Sequence, residues 1–226
     1  MILCCLKKDT KTINTDLNCL DSIKAFLGRG KRILKVFLAA TKSCCVIVPA
    51  LIIMRVERNL LDADGYRLNI GIVIANGRGD VLWARRVRQG GWQFPQGGIH
   101  EGESHEQAMY RELEEETGLT KGQVEVWGVT RDWLRYRLPK KMIRPTQGQV
   151  CIGQKQKWYL LRLTAAESEI HFNGSDKPEF DHWEWVSYWY PLNQIIDFKR
   201  QVYQRMLKEL SGLHSQKVAH FLNDDR

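Results

Sequence analysis

The spacing of hydrophobic and polar residues predicts a series of short β-strands. Ile70 to Ala75 is a β-branched run, and Val81 to Arg86 is a second strand-like run after the turn residues 76–79. Between Trp133 and Leu138 the polar and apolar residues alternate, which is typical of a strand with one buried face. Further strands are predicted over Val124–Val129, Cys151–Leu163 and Trp183–Trp189.

Two helices are predicted among the strands. Ser104 followed by Gln107 forms a capping box, and Gly118 stands where the end of a helix favours glycine. A final helix is predicted from Pro191, because Ile195, Val202, Met206 and Leu210 recur at helical spacing; the pattern weakens from Ser211. Strands mixed with two helices predict an α+β sandwich.

The first of these helices is unusually acidic. The segment Gly97–Leu119 contains seven glutamates and one cation, Arg111. Glu112, Glu115 and Glu116 stand at i, i+3 and i+4, so they share one helix face and repel by roughly 3 kcal/mol per pair at an effective dielectric of about 20. A solvated acidic helix is the alternative, but such a helix would interleave lysines. The pattern favours a site for hard divalent cations, Mg²⁺ or Mn²⁺.

The spacing of this segment resembles the Nudix box, G-x5-E-x7-R-E-U-x-E-E-x-G-U with U a bulky aliphatic residue. Every fixed position matches, namely Gly97, Glu103, Arg111, Glu112, Leu113, Glu115, Glu116, Gly118 and Leu119. The stretches WQFPQGG, CIGQKQKWYLL and WVSYWYP, among others from about 62 to about 210, are similar to the bacterial RNA pyrophosphohydrolases. The resemblance implies the Nudix fold, a mixed β-sheet flanked by helices in an α/β/α sandwich.

The resemblance also implies roles for individual acids. Glu115 and Glu116 are expected to bind the metal, and Glu112 is either a third ligand or the general base. Glu179, in the sequence PEFD, matches a carboxylate that such enzymes supply from outside the box, as a ligand or base. Gly97 is expected to let its backbone carbonyl approach the metal, since it has no Cβ.

Arg111 is expected to hold the loop to the helix by pairing with a glutamate such as Glu103.

Basic and aromatic residues elsewhere are candidates for substrate binding. Cations neutralise phosphates, and aromatic rings stack on single-stranded bases at roughly 1–3 kcal/mol each. The candidates are Arg67, Arg86, Trp92, Tyr136, Lys140, Phe198 and Lys199; Arg135, Arg137, Lys155 and Lys157 belong to the same basic, aromatic pattern. For any of them the alternative is a core aromatic or a solvated cation. Trp158, Trp183 and Trp185 are assigned to the core.

The implied activity is removal of pyrophosphate from the 5′-triphosphate end of mRNA, which leaves a 5′-monophosphate and promotes decay. A dinucleoside polyphosphate (Ap4A or Ap5A) hydrolase would need the same metals, and a non-catalytic RNA-binding Nudix module is a third possibility. The intact acidic cluster disfavours the last. We expect 5′-triphosphorylated RNA as the partner, no DNA, no membrane and a monomer.

Charge and cysteine are concentrated at the front of the chain. The formal net charge is +8, of which residues 1–53 carry +6, and five of the six cysteines lie there. No disulfide framework or zinc-binding spacing appears, which favours the cytoplasm. We expect 1–53 to be an N-terminal extension, disordered or added by an upstream start, 54–215 to be the Nudix hydrolase domain, and 216–226 to be a tail. A membrane anchor over the apolar Val36–Met54 and a folded addition are the alternatives, although Lys42 interrupts that run.

Overall fold

The computed structural model describes residues 60–88, 90–143, 145–146, 149–174 and 177–224. The predictions made for 1–53 lie outside these residues. The strands are β1 (Tyr66–Ala75), β2 (Val81–Arg86), β3 (Trp92–Gln93), β4 (Gln96–Gly98), β5 (Val124–Val129), β6 (Leu134–Arg137), β7 (Pro145–Thr146), β8 (Gln149–Val150), β9 (Gly153–Leu163) and β10 (Phe180–Val186). The α-helices are α1 (His105–Thr117), α2 (Tyr190–Gln194) and α3 (Asp197–Asp224).

The main sheet is mixed and is centred on β1. Its strand order is β10-β2-β1-β9-β5; β3 pairs with β2, β4 with β1 and β6 with β9. β1 runs parallel to β9 and antiparallel to β2 and β4. The short strands β7 and β8 form a separate hairpin. The predicted α+β fold with a mixed sheet is therefore confirmed.

Each face of the sheet is covered by a helix. On one face Ile70, Ile72 and Ile74 pack in a buried cluster with Met109 and Leu113 of α1.

The opposite face contains Val73, Trp158 and Leu160, which form a second buried cluster with Tyr203 and Met206 of α3. Full burial of a large apolar side chain contributes about 1.5–3 kcal/mol, so both layers stabilise the fold. Trp158 lies in the core as predicted, with no exposed surface, and Trp183 and Trp185 pack partly buried against the α1 cluster.

Helix α1 begins and ends as the sequence predicts. The Ser104 side chain accepts a hydrogen bond from the Gln107 backbone, the Gln107 side chain accepts one from the Ser104 backbone, and Gly118 closes the helix in the left-handed conformation with φ 72°. The helix buries Glu112 and Glu116 as well as its apolar residues. Two carboxylates are thereby held at the edge of the core.

The end of the chain differs from the prediction. The last strand ends at Val186, and the helix expected from Pro191 is two helices, because Ile195 has extended backbone angles (φ −67°, ψ 145°) after a single turn. Helix α3 continues past Ser211 to Asp224. Its last turns pack on the β1–β2 turn, where His214 Nε2 contacts the Gly79 carbonyl oxygen at 2.9 Å. In the described part of the chain, no helix is long and apolar enough to span a bilayer.

Candidate active site

A cavity of about 980 Å³ joins the acidic helix to the start of α3. One end is formed by Gly97, Glu112, Glu116 and Glu179. The remaining lining includes six of the seven predicted substrate-binding residues, namely Arg67, Arg86, Trp92, Tyr136, Phe198 and Lys199. The fold thus brings residues from positions 67 to 199 of the sequence together in one cavity.

Gly97 is required by the position of the Glu112 carboxylate. A Cβ at position 97 would lie 1.7 Å from Glu112 Cδ and 1.9 Å from each carboxylate oxygen. Glu112 is 8% exposed, and burial raises its pKa, although the neighbouring Arg111 lowers it. The glycine therefore leaves the space that this carboxylate fills, and the expected approach of the Gly97 carbonyl to a metal stays a prediction.

Glu116 is as buried as Glu112, with 8% of its surface exposed. Its Oε2 accepts a hydrogen bond from the Gln96 backbone N–H at 2.7 Å. Burial, then the nearby Glu179 and Glu112 carboxylates, raise the pKa of Glu116 well above its ordinary value. Glu179 is itself held by Arg86, with 2.8 Å between Oε1 and Nη2, and by Gln93, with Nε2 3.2 Å from Oε1.

Arg111 fastens the glycine-rich loop to α1, as expected. Its guanidinium donates to both oxygens of Glu103, at 2.8 and 2.9 Å, and to the Gly98 carbonyl oxygen at 2.7 Å. It also donates to Glu112 Oε1 at 2.7 Å and to Glu115 Oε2 at 3.3 Å. These contacts raise the pKa of Arg111 although burial opposes that change, so the cation is permanent.

The chemistry of the acidic end suits a divalent cation. Among the described residues, no three His, Cys, Asp or Glu side chains are gathered closely enough to enclose one ion in this arrangement. Carboxylate oxygens are nevertheless the ligands that hard dications prefer. The repulsion from Glu179 and Glu112 that raises the pKa of Glu116 is also what a bound dication relieves. The residues present therefore fit a divalent metal.

Basic and aromatic residues also line the cavity, and some of the cations lie beside the carboxylates. Arg67 Nε is buried and has no hydrogen-bond partner among the described residues. Lys199 is 7% exposed and donates to Gln93 Oε1 at 2.9 Å; burial, reinforced by Arg86, lowers the pKa of Lys199 to about 8. The rings of Tyr136 and Phe198 lie 5.6 Å apart in the cavity wall.

Other predicted residues do not line the cavity. Lys140 begins a short 3₁₀ helix, from which Met142 but not Lys140 reaches the cavity. Glu115 shares the helix face of Glu112, but its side chain is 47% exposed.

Three of the predicted basic residues outside the cavity have partners elsewhere. Arg135 pairs with Asp64 and Lys155 with Asp62, while Lys157 donates to the Thr130 and Arg131 carbonyl oxygens.

Amide side chains are the part of the site that sequence reasoning missed. Asn69, Gln93, Gln96 and Gln154 all line the cavity. Three of them are at least nine-tenths buried, with exposures of 1% for Asn69, 3% for Gln93 and 9% for Gln96. The available signal was the presence of amides within or next to the predicted strands and just before the glycine-rich loop. An amide that becomes buried there must be hydrogen-bonded.

The chain is similar in sequence to several known proteins. The NUDIX domain family model matches residues 65–210. The chain is 59% identical over 154 residues to an RNA pyrophosphohydrolase of Vibrio atlanticus, an alignment that covers 68% of this chain and 90% of that protein. It is 56% identical over 158 residues to an RNA pyrophosphohydrolase of Acinetobacter baylyi, covering 70% and 95%.

A solved structure supports the fold alone. The E. coli dihydroneopterin triphosphate pyrophosphohydrolase aligns with a TM-score of 0.50 at 21% identity, covering 62% of this chain and 94% of that one. The fold, the complete acidic motif on α1 and the match over 65–210 lead to one conclusion. The chain belongs to the Nudix hydrolase family.

Proposed function

We propose that this protein is an RNA pyrophosphohydrolase, which removes pyrophosphate from the 5′-triphosphate end of mRNA and leaves a 5′-monophosphate. One observation carries the proposal: carboxylates suited to a metal and a basic, aromatic surface line the same cavity. A triphosphate joined to a nucleoside presents the complementary sequence of groups, anionic at one end and aromatic at the other. The RNA pyrophosphohydrolases that share 56–59% identity with the chain support this assignment.

The basic and aromatic residues of the cavity bind the 5′ terminus. Arg67, Arg86 and Lys199 supply positive charge along the cavity, and Arg67 Nε has a donor to offer a phosphate oxygen. Phe198, which packs on the buried ring of Tyr136, offers an aromatic ring on which a base can stack. Trp92 also lines the cavity.

The acidic end holds the divalent cation that Nudix hydrolases generally use. Glu115 and Glu116 are ligands, and Glu112 and Glu179 each serve as a further ligand or as the general base. When bound, the cation neutralises phosphate charge and lowers the pKa of a coordinated water. Mg²⁺ is the proposed physiological ion and Mn²⁺ a substitute, because both take oxygen ligands.

We also propose a location and an oligomeric state for the enzyme. The substrate is mRNA, so we place the activity in the cytoplasm. One chain supplies every residue of the cavity, so a monomer suffices. We assign catalysis to 54–215 and none of it to the extension 1–53 or the tail 216–226.

Product analysis on a short 5′-triphosphorylated RNA tests the proposal. With Mg²⁺ we expect pyrophosphate, or two successive phosphates, together with 5′-monophosphorylated RNA; with EDTA we expect no product. A matched RNA with a 5′-hydroxyl is the control and should stay intact. In competition with Ap5A, efficient cleavage of Ap5A and an intact triphosphorylated RNA would instead assign the enzyme to dinucleoside polyphosphates.

A further inference from the structure

Gln156 is a buried amide directly behind the cavity wall. It lies on β9, paired with Asn69 of β1 on one side and Leu134 of β6 on the other, and has no exposed surface. Its Nε2 lies 2.9 Å from Asn69 Oδ1, 3.2 Å from Gln96 Oε1 and 3.3 Å from Gln154 Oε1. One amide nitrogen, which carries two hydrogens, therefore meets three side-chain oxygens of the cavity wall, and at least one hydrogen is shared between two of them.

This arrangement is costly for the fold. Gln156 Oε1 is buried and has no hydrogen-bond partner among the described residues. A buried polar atom without a partner costs about 1–3 kcal/mol. Methionine has nearly the same length and no amide, so packing alone does not call for glutamine at this position. The amide is explained by what its nitrogen holds in place.

Gln96 connects the buried amide to the acidic end. Its side-chain oxygen is held by Gln156, and its backbone N–H donates to Glu116 Oε2 at 2.7 Å. The next residue is Gly97, which leaves room for the Glu112 carboxylate. Strand β4 is only three residues long. A hydrogen bond that fixes the Gln96 side chain therefore also fixes the backbone N–H that binds Glu116 and the position of Gly97 beside Glu112.

The same amide reaches the aromatic residues of the cavity wall through Gln154. The Tyr136 hydroxyl donates to Gln154 Oε1 at 2.7 Å. Burial raises the pKa of the Tyr136 hydroxyl, and an interaction with the Gln96 side chain lowers it. Tyr136 is thus a neutral donor tied to two of the amides, and its ring lies beside Phe198.

We propose that Gln156 is a positioning residue that sets the geometry of the metal site through Gln96 and that of the aromatic wall through Gln154. The aromatic half rests on the proposed function, since it concerns RNA. The metal half does not, because the Gln96–Glu116 contact needs no substrate. Residues that orient metal ligands typically change metal affinity by 10–100-fold when removed.

Binding of Mn²⁺ alone tests the metal half, by titration calorimetry on the full chain without RNA. Gln156→Met removes the donor and keeps the volume, so we expect Mn²⁺ to bind about tenfold or more weakly. An unchanged Mn²⁺ affinity in this variant would leave the RNA assignment untouched. A wild-type enzyme that binds Mn²⁺ but does not cleave triphosphorylated RNA would contradict only the proposed function. The aromatic half predicts a raised KM for RNA at saturating Mn²⁺.

Thr130→Val is the matched control. Thr130 is fully buried, and its hydroxyl accepts a hydrogen bond at 3.1 Å from the backbone N–H of Trp158, which follows Gln156 by two residues on β9. Thr130 does not line the cavity. We expect this variant to lose stability and to keep wild-type Mn²⁺ affinity. If Gln156→Met also loses only stability, with Mn²⁺ affinity within twofold of wild type, Gln156 is merely structural and the proposal is overturned.

A second variant keeps the test decisive if Gln156→Met does not fold. Gln96→Met frees β4 from the amide and leaves Gln156 in the core, so we expect the same loss of Mn²⁺ affinity. Where both variants fold, the double variant should bind Mn²⁺ no more weakly than the weaker single one, since both break one connection. Wild-type Mn²⁺ affinity in Gln96→Met, or additive losses in the double variant, would refute the connection.

Discussion

Replacing Gly97 with alanine should separate activity from stability. The new Cβ would lie 1.7 Å from Glu112 Cδ, and ordinary van der Waals contact begins at 3.4 Å. The carboxylate must therefore retreat by at least 1.7 Å, the difference between these distances. The atoms in the way belong to the end of a flexible side chain, and Gly97 is not among the described glycines with positive φ. The backbone can accept alanine, whereas Glu112 cannot stay where it is.

The expected magnitudes follow from that displacement. Misplacement of a reacting group by 1 Å can cost about 100-fold in rate, so kcat should fall by at least that factor. Loss of the hydrogen bond from Arg111 to Glu112 costs about 1.5–3 kcal/mol, and alanine in a strand returns about 0.5–1 kcal/mol relative to glycine. The net loss of about 0.5–2.5 kcal/mol corresponds to a fall in Tm of roughly 1–10 °C.

Pyrophosphate release from triphosphorylated RNA measures the rate, and thermal unfolding measures the stability. Gly122→Ala is the control, because a Cβ there meets no atom within 4 Å, and it should change neither quantity. A Gly97→Ala enzyme with kcat within tenfold of wild type would refute the claim that glycine is needed for Glu112. A fall in Tm above about 15 °C would show that the backbone, and not the carboxylate, had to move.

Three further outcomes are expected. Glu116→Gln should abolish turnover while RNA binding, followed by fluorescence anisotropy, survives; normal turnover would refute its role as a metal ligand. Arg111→Lys cannot span Glu103 and the Gly98 carbonyl at once, so Tm should fall by roughly 4–8 °C, about 2 kcal/mol, and an unchanged Tm would contradict the clamp. Burial lowers the pKa of His214 below 6.5, so protonation favours the unfolded chain: stability is complete above pH 6.5 and falls as the pH drops below it. Denaturant unfolding between pH 5 and 8 should show this loss, and His214→Gln should reduce it.

The sequence by itself determined the local features of this protein. The capping box and the terminal glycine of α1 depend on residues within one or two turns, so the helix is found where it was expected. The order of acids in the Nudix box was readable for the same reason, as were the strands with clear alternation, such as Leu134–Arg137. These features depend on neighbours along the chain.

The tertiary structure decided which of those residues work together. Glu112 and Glu116 are buried whereas Glu115 is exposed, because the sheet covers only part of that helix face. Gln156 contacts Asn69 and Gln96, which are 87 and 60 residues away in the sequence. They come together only because β9 and β4 both pair with β1. A buried amide is recognised by its surroundings, and strand pairing over such separations sets those surroundings.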